Sequence, residues 1–231
     1  MIAIIDYGVG NLFSLQSSLG RVGAQAVVTG DAQALRDADK LILPGVGAFG
    51  DARERLAQTG LDEVICREAS RGKAILGICL GMQLLFERSF EYGEHSGLGL
   101  IPGEVVDMAP RLPQGLKVPH IGWNALRMKR PEHPLFADVR EGECMYFVHS
   151  FYADRCAENT LATAEYGIEL TAAVARENVM GCQFHPEKSG EAGLRLLRAF
   201  CGMEGLAWSC FRRLTCSADA RCACSTGTTA R

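Results

Sequence analysis

The 231-residue chain has no apolar run approaching the ~20 residues that a membrane-spanning helix requires. It also lacks an excess of positive charge: 24 Lys and Arg face 27 Asp and Glu, a formal net charge of -3. Bulk electrostatic binding to nucleic acid or an anionic membrane is therefore not supported. The start, Met1-Ile2-Ala3-Ile4-Ile5-Asp6, has neither the basic residues nor the small-residue cleavage site of a secretory leader. It reads directly as a strand, and a cytoplasmic address is expected. No glycine cluster carries the lysine of a phosphate-cradling loop, and Gly8-Val9-Gly10 lacks the third glycine of a dinucleotide fingerprint. Histidine is scarce, with five in the chain. None lies among the crowded cysteines Cys210, Cys216, Cys222 and Cys224, which also lack paired Cys-x-x-Cys spacing. Neither a metal nor a cofactor is expected. Cys66, Cys79, Cys144, Cys156, Cys182 and Cys201 stand singly in apolar or helical segments, the pattern of buried free thiols rather than a disulfide framework.

What the sequence does have is alternation. Apolar strand-like runs at 2–5, 25–29, 40–43 and 74–78 are separated by amphipathic patterns at 11–22, 49–58 and 61–71. Such alternation predicts a doubly wound, mostly parallel sheet with helices on both faces. A further helix is expected at 80–88. From residue 97 the pattern changes to short strands at 103–108, 118–121, 145–149, 160–165, 169–176 and 179–183, a mixed or antiparallel extension of the sheet. A last amphipathic helix at 189–200 closes one domain over residues 1–203. The periodicity then stops, and 204–231, rich in Ser, Thr, Ala and Cys, is expected to be a disordered extension because its apolar residues are too few to offset ordering entropy.

The most informative feature is Gly77-Ile78-Cys79-Leu80-Gly81, at the point where an apolar strand gives way to a helical pattern. Glycine on both flanks suits a strand-to-helix elbow that projects a nucleophile from the top of a sheet. The first helical turn would aim its free N–H groups at the sulfur. Far along the chain stands Gln183-Phe184-His185-Pro186-Glu187-Lys188-Ser189, where alternate residues of a strand end would put His185 and Glu187 on one face. Cys79, His185 and Glu187 read together as nucleophile, general base and orienting carboxylate. Pro44-Gly45-Val46-Gly47-Ala48-Phe49 ends another strand and can offer a backbone N–H to an oxyanion, beside the Leu80 amide.

Gly77-Ile78-Cys79-Leu80-Gly81-Met82-Gln83 with His185-Pro186-Glu187 resembles the triad-type glutamine amidotransferases. Asp6-Tyr7-Gly8-Val9-Gly10-Asn11, Pro44 to Phe49, Pro119-His120-Ile121-Gly122-Trp123-Asn124 and Tyr146-Phe147-Val148-His149-Ser150 narrow the likeness to the glutaminase subunits of imidazole glycerol phosphate synthase, in histidine biosynthesis. The resemblance implies attack by Cys79 on the glutamine side-chain amide, release of ammonia with a proton from His185, and hydrolysis of a glutamyl thioester. It implies that the Val46 and Leu80 amides hold the oxyanion and that Gly45, Gly47, Gln83, Ser150 and Phe151 contact glutamine. Phe151 departs from the tyrosine more frequent there. The resemblance further implies a heterodimer with a (β/α)₈-barrel cyclase that consumes the ammonia, contacts through Asn11, Trp123, Tyr146 and Lys188, and poor glutaminase activity without that partner. Two rivals stay open on the residues: a cysteine hydrolase on the same elbow, and a silent subunit that only regulates a cyclase.

Overall fold

A computed structural model describes residues 1–203, so the predicted extension at 204–231 lies outside the described residues. The first half alternates as its periodicity predicts. Strand β1 (Ile2–Ile5) leads to helix α1 (Leu12–Arg21), β2 (Ala26–Thr29), α2 (Ala32–Asp37) and β3 (Lys40–Leu43). Helices α3 (Phe49–Thr59) and α4 (Leu61–Ser70) precede β4 (Ala74–Ile78). The predicted elbow helix is shorter than expected: α5 spans Leu80–Leu84, and Phe86–Ser89 is strand β5. Met82 to Glu87 are good helix formers, yet β5 pairs with β7 (Ile101–Asp107), where Phe86 lies opposite Ile101 and Arg88 opposite Glu104. Tertiary pairing overrides local propensity there.

Nine strands form the main sheet in the order β2-β1-β3-β4-β13-β12-β11-β8-β9. Its β2 to β13 half is parallel, and β13 (Val179–Cys182) sits beside β4 with Gly181 opposite Gly77. Beyond β13 the sheet turns antiparallel through β12 (Glu169–Arg176), β11 (Thr160–Glu165), β8 (His120–Met128) and β9 (Cys144–His149). A second sheet, β10-β7-β5-β6, adds β10 (Phe151–Asp154) and β6 (His95–Ser96). The doubly wound prediction with a mixed extension therefore holds.

Every residue of β1, β3 and β13 is buried, as strands covered on both faces must be. Alternate side chains feed two cores. On one face Ile4, Ile42 and Leu76 pack with Leu15 and Leu19 of α1 and with Leu196, Leu197 and Phe200 of α6 (Gly190–Gly202). On the other, Ile5, Leu43 and Ile75 pack with Leu56, Ile65 and the second sheet's Phe86 and Ile101. At roughly 1.5–3 kcal/mol for each large apolar side chain fully buried, these layers fix the parallel strand ends relative to one another. Cys79 and His185 emerge from adjacent strand ends of this sheet.

Among the described residues, Cys79, Cys144, Cys156, Cys182 and Cys201 are free thiols. Cys79, Cys156 and Cys182 are buried, whereas Cys144 is exposed because it starts β9, the edge strand.

Candidate active site

Cys79 stands between β4 and α5 with φ 55° and ψ -112°, a left-handed conformation that an L-residue adopts only when its surroundings enforce it. The enforcement is visible. Its N–H donates to Cys182 O at 2.8 Å on the neighbouring strand, and its carbonyl accepts from Gln83 N at 3.2 Å. The flanking glycines serve packing rather than positive φ. A Cβ at Gly77 would lie 2.6 Å from the Gly81 carbonyl oxygen, and one at Gly81 would overlap the Leu43 carbonyl. Gly-x-Cys-x-Gly is thus a close-approach motif, with the strain on the cysteine itself.

His185 and Glu187 do not share a strand face. The chain leaves β13 at Cys182, and Pro186–Lys188 form a 3-10 turn with His185 as its leading residue. Pro186, with its fixed φ and no N–H to satisfy, suits the first position of such a turn. The turn folds the carboxylate back so that Glu187 Oε1 accepts from His185 Nδ1 at 2.8 Å, with both side chains 3% exposed. Tyr146 of β9 brackets the turn: its carbonyl accepts from His185 N at 2.9 Å, and its N–H donates to Ser189 Oγ at 3.0 Å.

Burial opposes charge on the His185 imidazole, but Cys79 and Glu187, by hydrogen bonding and by charge, outweigh it and raise its pKa from 6.5 to about 9. His185 Nε2 is buried and has no well-aligned hydrogen-bond partner among the described residues. Glu187 Oε2 is likewise buried and unpaired. Cys182 lies one strand away, fully buried, and burial keeps it a neutral thiol, reinforced by the charges of Glu187 and Cys79.

Gly45 approaches the elbow, since a Cβ there would lie 2.9 Å from the Gly81 nitrogen and 2.8 Å from the Tyr7 hydroxyl. Among the described residues, no hydrogen bond occupies the Val46 or Leu80 amide. Gln83 is buried, and its Nε2 donates to Phe151 O and to Gln183 Oε1, both at 3.0 Å. Phe151 thus meets Gln83 through its backbone, so phenylalanine in place of tyrosine leaves that bond intact. Gly47 takes φ 94° in the loop before α3, and Ser150 accepts from Met108 N at 3.2 Å through its carbonyl. Neither is hydrogen-bonded to the triad among the described residues.

Trp123, Tyr146 and Lys188 form one patch: the two rings meet edge to face at 5.9 Å, and Lys188 Nζ lies 5.8 Å from the Tyr146 ring centre. Asn11 leads α1, which packs against the 186–188 turn.

Three residues at the site were not singled out from the sequence. Tyr7 is buried and donates to Pro44 O at 2.8 Å, pinning the start of the Gly45–Gly47 segment. Burial, then the charge of Cys79, pushes its hydroxyl pKa up, so it stays a donor. His149 donates from Nδ1 to Phe151 O at 2.8 Å, and burial lowers its pKa to about 3. Gln183 is fully buried and directs Nε2 to Cys79 Sγ at 3.7 Å. A buried tyrosine, histidine or glutamine on an apolar strand end carries no sequence signal of its own, because its role depends on neighbours remote in the chain.

Residues 3–202 match the family model described as glutamine amidotransferase class-I. The subunit HisH of imidazole glycerol phosphate synthase from Sulfurimonas denitrificans is 52% identical over 203 residues, covering 87% of this chain and 97% of the relative. The chain belongs to the HisH family of class-I glutamine amidotransferases. The Bacillus subtilis HisH subunit is 49% identical over 206 residues, covering 88% of this chain and 96% of that one. A crystal structure of a glutamine amidotransferase superposes with a TM-score of 0.68 at 21% identity, covering 87% of this chain and 98% of that one, which supports the fold. The chain is thus a glutamine amidotransferase rather than a general cysteine hydrolase. Among the described residues of this amidotransferase, no helix is long and apolar enough to cross a membrane, and no group of His, Cys, Asp and Glu could hold a metal ion.

Proposed function

We propose that this amidotransferase hydrolyses glutamine through a thioester on Cys79 and passes the ammonia to a cyclase partner in the cytoplasm. The observation that carries the reading is the buried His185–Glu187 pair, 2.8 Å apart, electrostatically coupled to a cysteine strained into an elbow. Sγ attacks the side-chain amide carbon, and the carbonyl electrons move to oxygen, where the Val46 and Leu80 amides would receive them. With its pKa raised to about 9, His185 holds a proton at neutral pH and gives it to the departing nitrogen. Neutral His185 then accepts a proton from water, which attacks the thioester. The C–S bond breaks and glutamate leaves. Glu187 keeps Nδ1–H of the ring donating to it, which directs Nε2 to the reacting groups.

Residues 1–203 act as one catalytic unit in this account. HisH relatives are named as subunits of a synthase, which supports a heterodimer. The partner we infer is a (β/α)₈-barrel cyclase that uses ammonia to form imidazole glycerol phosphate and an aminoimidazole carboxamide ribonucleotide. The patch of Trp123, Tyr146 and Lys188, with Asn11 nearby, is the proposed contact surface, and Trp123 is 54% exposed in the free chain. Gly47 with its positive φ, beside half-exposed Val46, gives the oxyanion segment freedom to reorient when the partner binds. The isolated chain is then a poor glutaminase.

Cys79→Ala, assayed as the complex, tests the reading. Glutamine-dependent product formation should disappear while ammonia-dependent synthesis by the partner persists. Retained glutamine use would establish a merely regulatory subunit instead.

A further inference from the structure

Gln183 sits in the last position before Phe184 and His185, fully buried, and spans two groups of the site. Its amide orientation is fixed by an unambiguous anchor. The carbonyl of Phe151 can only accept, so the Gln83 atom 3.0 Å from it is the amino nitrogen. The second proton on that nitrogen goes to the Gln183 atom 3.0 Å away, which must be the carbonyl oxygen. Gln183 therefore turns its own amino group to Cys79 Sγ at 3.7 Å. His185 Nε2 has no well-aligned hydrogen bond, and among the described residues the donor placed on Cys79 Sγ is Gln183 Nε2.

We infer that Gln183 is a further catalytic residue of the glutaminase reaction, donating to Cys79 Sγ whenever the sulfur is anionic. This rests on Cys79 being the nucleophile as proposed above. A buried sulfur anion has lost most of its water, and an N–H donor aimed at it favours that form over the neutral thiol. When Sγ forms its bond to the glutamine carbonyl carbon and ammonia leaves, the sulfur becomes neutral and the hydrogen bond weakens. When water adds and the C–S bond breaks, the electron pair returns to Sγ and the bond re-forms. Gln183 thus assists the sulfur both as nucleophile and as leaving group. Gln83 is the positioning residue behind it, acting through the Gln183 carbonyl.

Gln183→Glu separates this role from packing. The carboxylate is isosteric and still accepts from Gln83, but it replaces the donor at Sγ with an acceptor. Gln183→Met, an apolar side chain of similar length, removes the donor without adding charge. The readout is iodoacetamide labelling of the Cys79 peptide, followed by mass spectrometry in the full chain, together with glutaminase kcat and KM in the complex with the cyclase. Labelling at neutral pH should slow about tenfold in each variant, recover at higher pH, and accompany a fall in kcat with KM little changed. Wild-type labelling at all pH values in either folded variant would overturn the inference. Should Cys79→Ser retain glutamine turnover, the nucleophile assignment fails first. Should Cys79→Ser be inactive while the Gln183 variants label and turn over normally, the Gln183 role alone fails.

Discussion

The strand ends that carry Cys79 and His185 are closed to solvent at the middle of the sheet, with exposures of 7% and 3%, whereas the β8–β9 edge leaves Ile121 and Trp123 58% and 54% exposed. The first region is held by close backbone approach: Gly77 against Gly81, Gly81 against Leu43, and Cys79 N–H on Cys182 O. The second leaves large apolar and aromatic surface in water, which a monomer gains little from doing. In the proposed account, fixed geometry and desolvation serve the chemistry, and the exposed apolar surface is left for a partner. Tyr146 joins the two. Its backbone holds the turn bearing His185, while its ring meets Trp123 on the exposed side.

If the centre is rigid for the reason given, Gly81→Ala should be the most damaging small change, because the added methyl overlaps the Leu43 carbonyl. A loss of about 3 kcal/mol is expected by urea unfolding, and a stability near wild type would show that the elbow can relax. Next in size, Glu187→Gln should lower glutaminase kcat in the complex about 100-fold, with a loss of stability that is confined to pH values at which His185 is charged and is too small to unfold the chain. A fall in midpoint matching the fall in rate would make Glu187 structural instead.

The pH dependence follows from the raised pKa of His185. The charged imidazole's contribution to stability is present in full below its ordinary value of 6.5 and is lost as pH rises through about 9. Glutamine turnover by the complex should accordingly fall above pH 9, about tenfold for each further unit. A rate flat to pH 10.5 would remove the imidazolium from the mechanism. Smallest of all at the level of folding, Trp123→Ala should change the stability of the isolated chain by about 0.5 kcal/mol or less. Its effect should appear in partner affinity measured by titration, and equal affinity for wild type and variant would move the contact surface elsewhere.

Much of this was legible in the sequence where function is written in adjacent residues. Gly77-Ile78-Cys79-Leu80-Gly81 and His185-Pro186-Glu187 announce themselves, and buried strands read as unbroken apolar runs. The reason for the flanking glycines was not legible, because their clashes lie with Leu43 and within the elbow's own fold. Helix α2 escaped because six residues give little periodicity, although its N-cap signal was present: Asp31 Oδ1 accepts from Ala34 N at 2.7 Å. Strand β5 was hidden by helix-forming residues whose pairing, with β7 and β6, is not written in the local pattern. The Gln83–Gln183–Cys79 chain needed coordinates, since the two amides are 100 residues apart.

The central claim is that a covalent intermediate forms on Cys79. Acid quenching of the complex during glutamine turnover, followed by mass analysis of the Cys79 peptide, tests it directly. The account predicts one glutamyl group on Cys79 in the wild type, increased in Glu187→Gln if hydrolysis of the thioester slows more than its formation. Steady turnover with an unmodified Cys79 peptide, or with the acyl group on another residue, would contradict it.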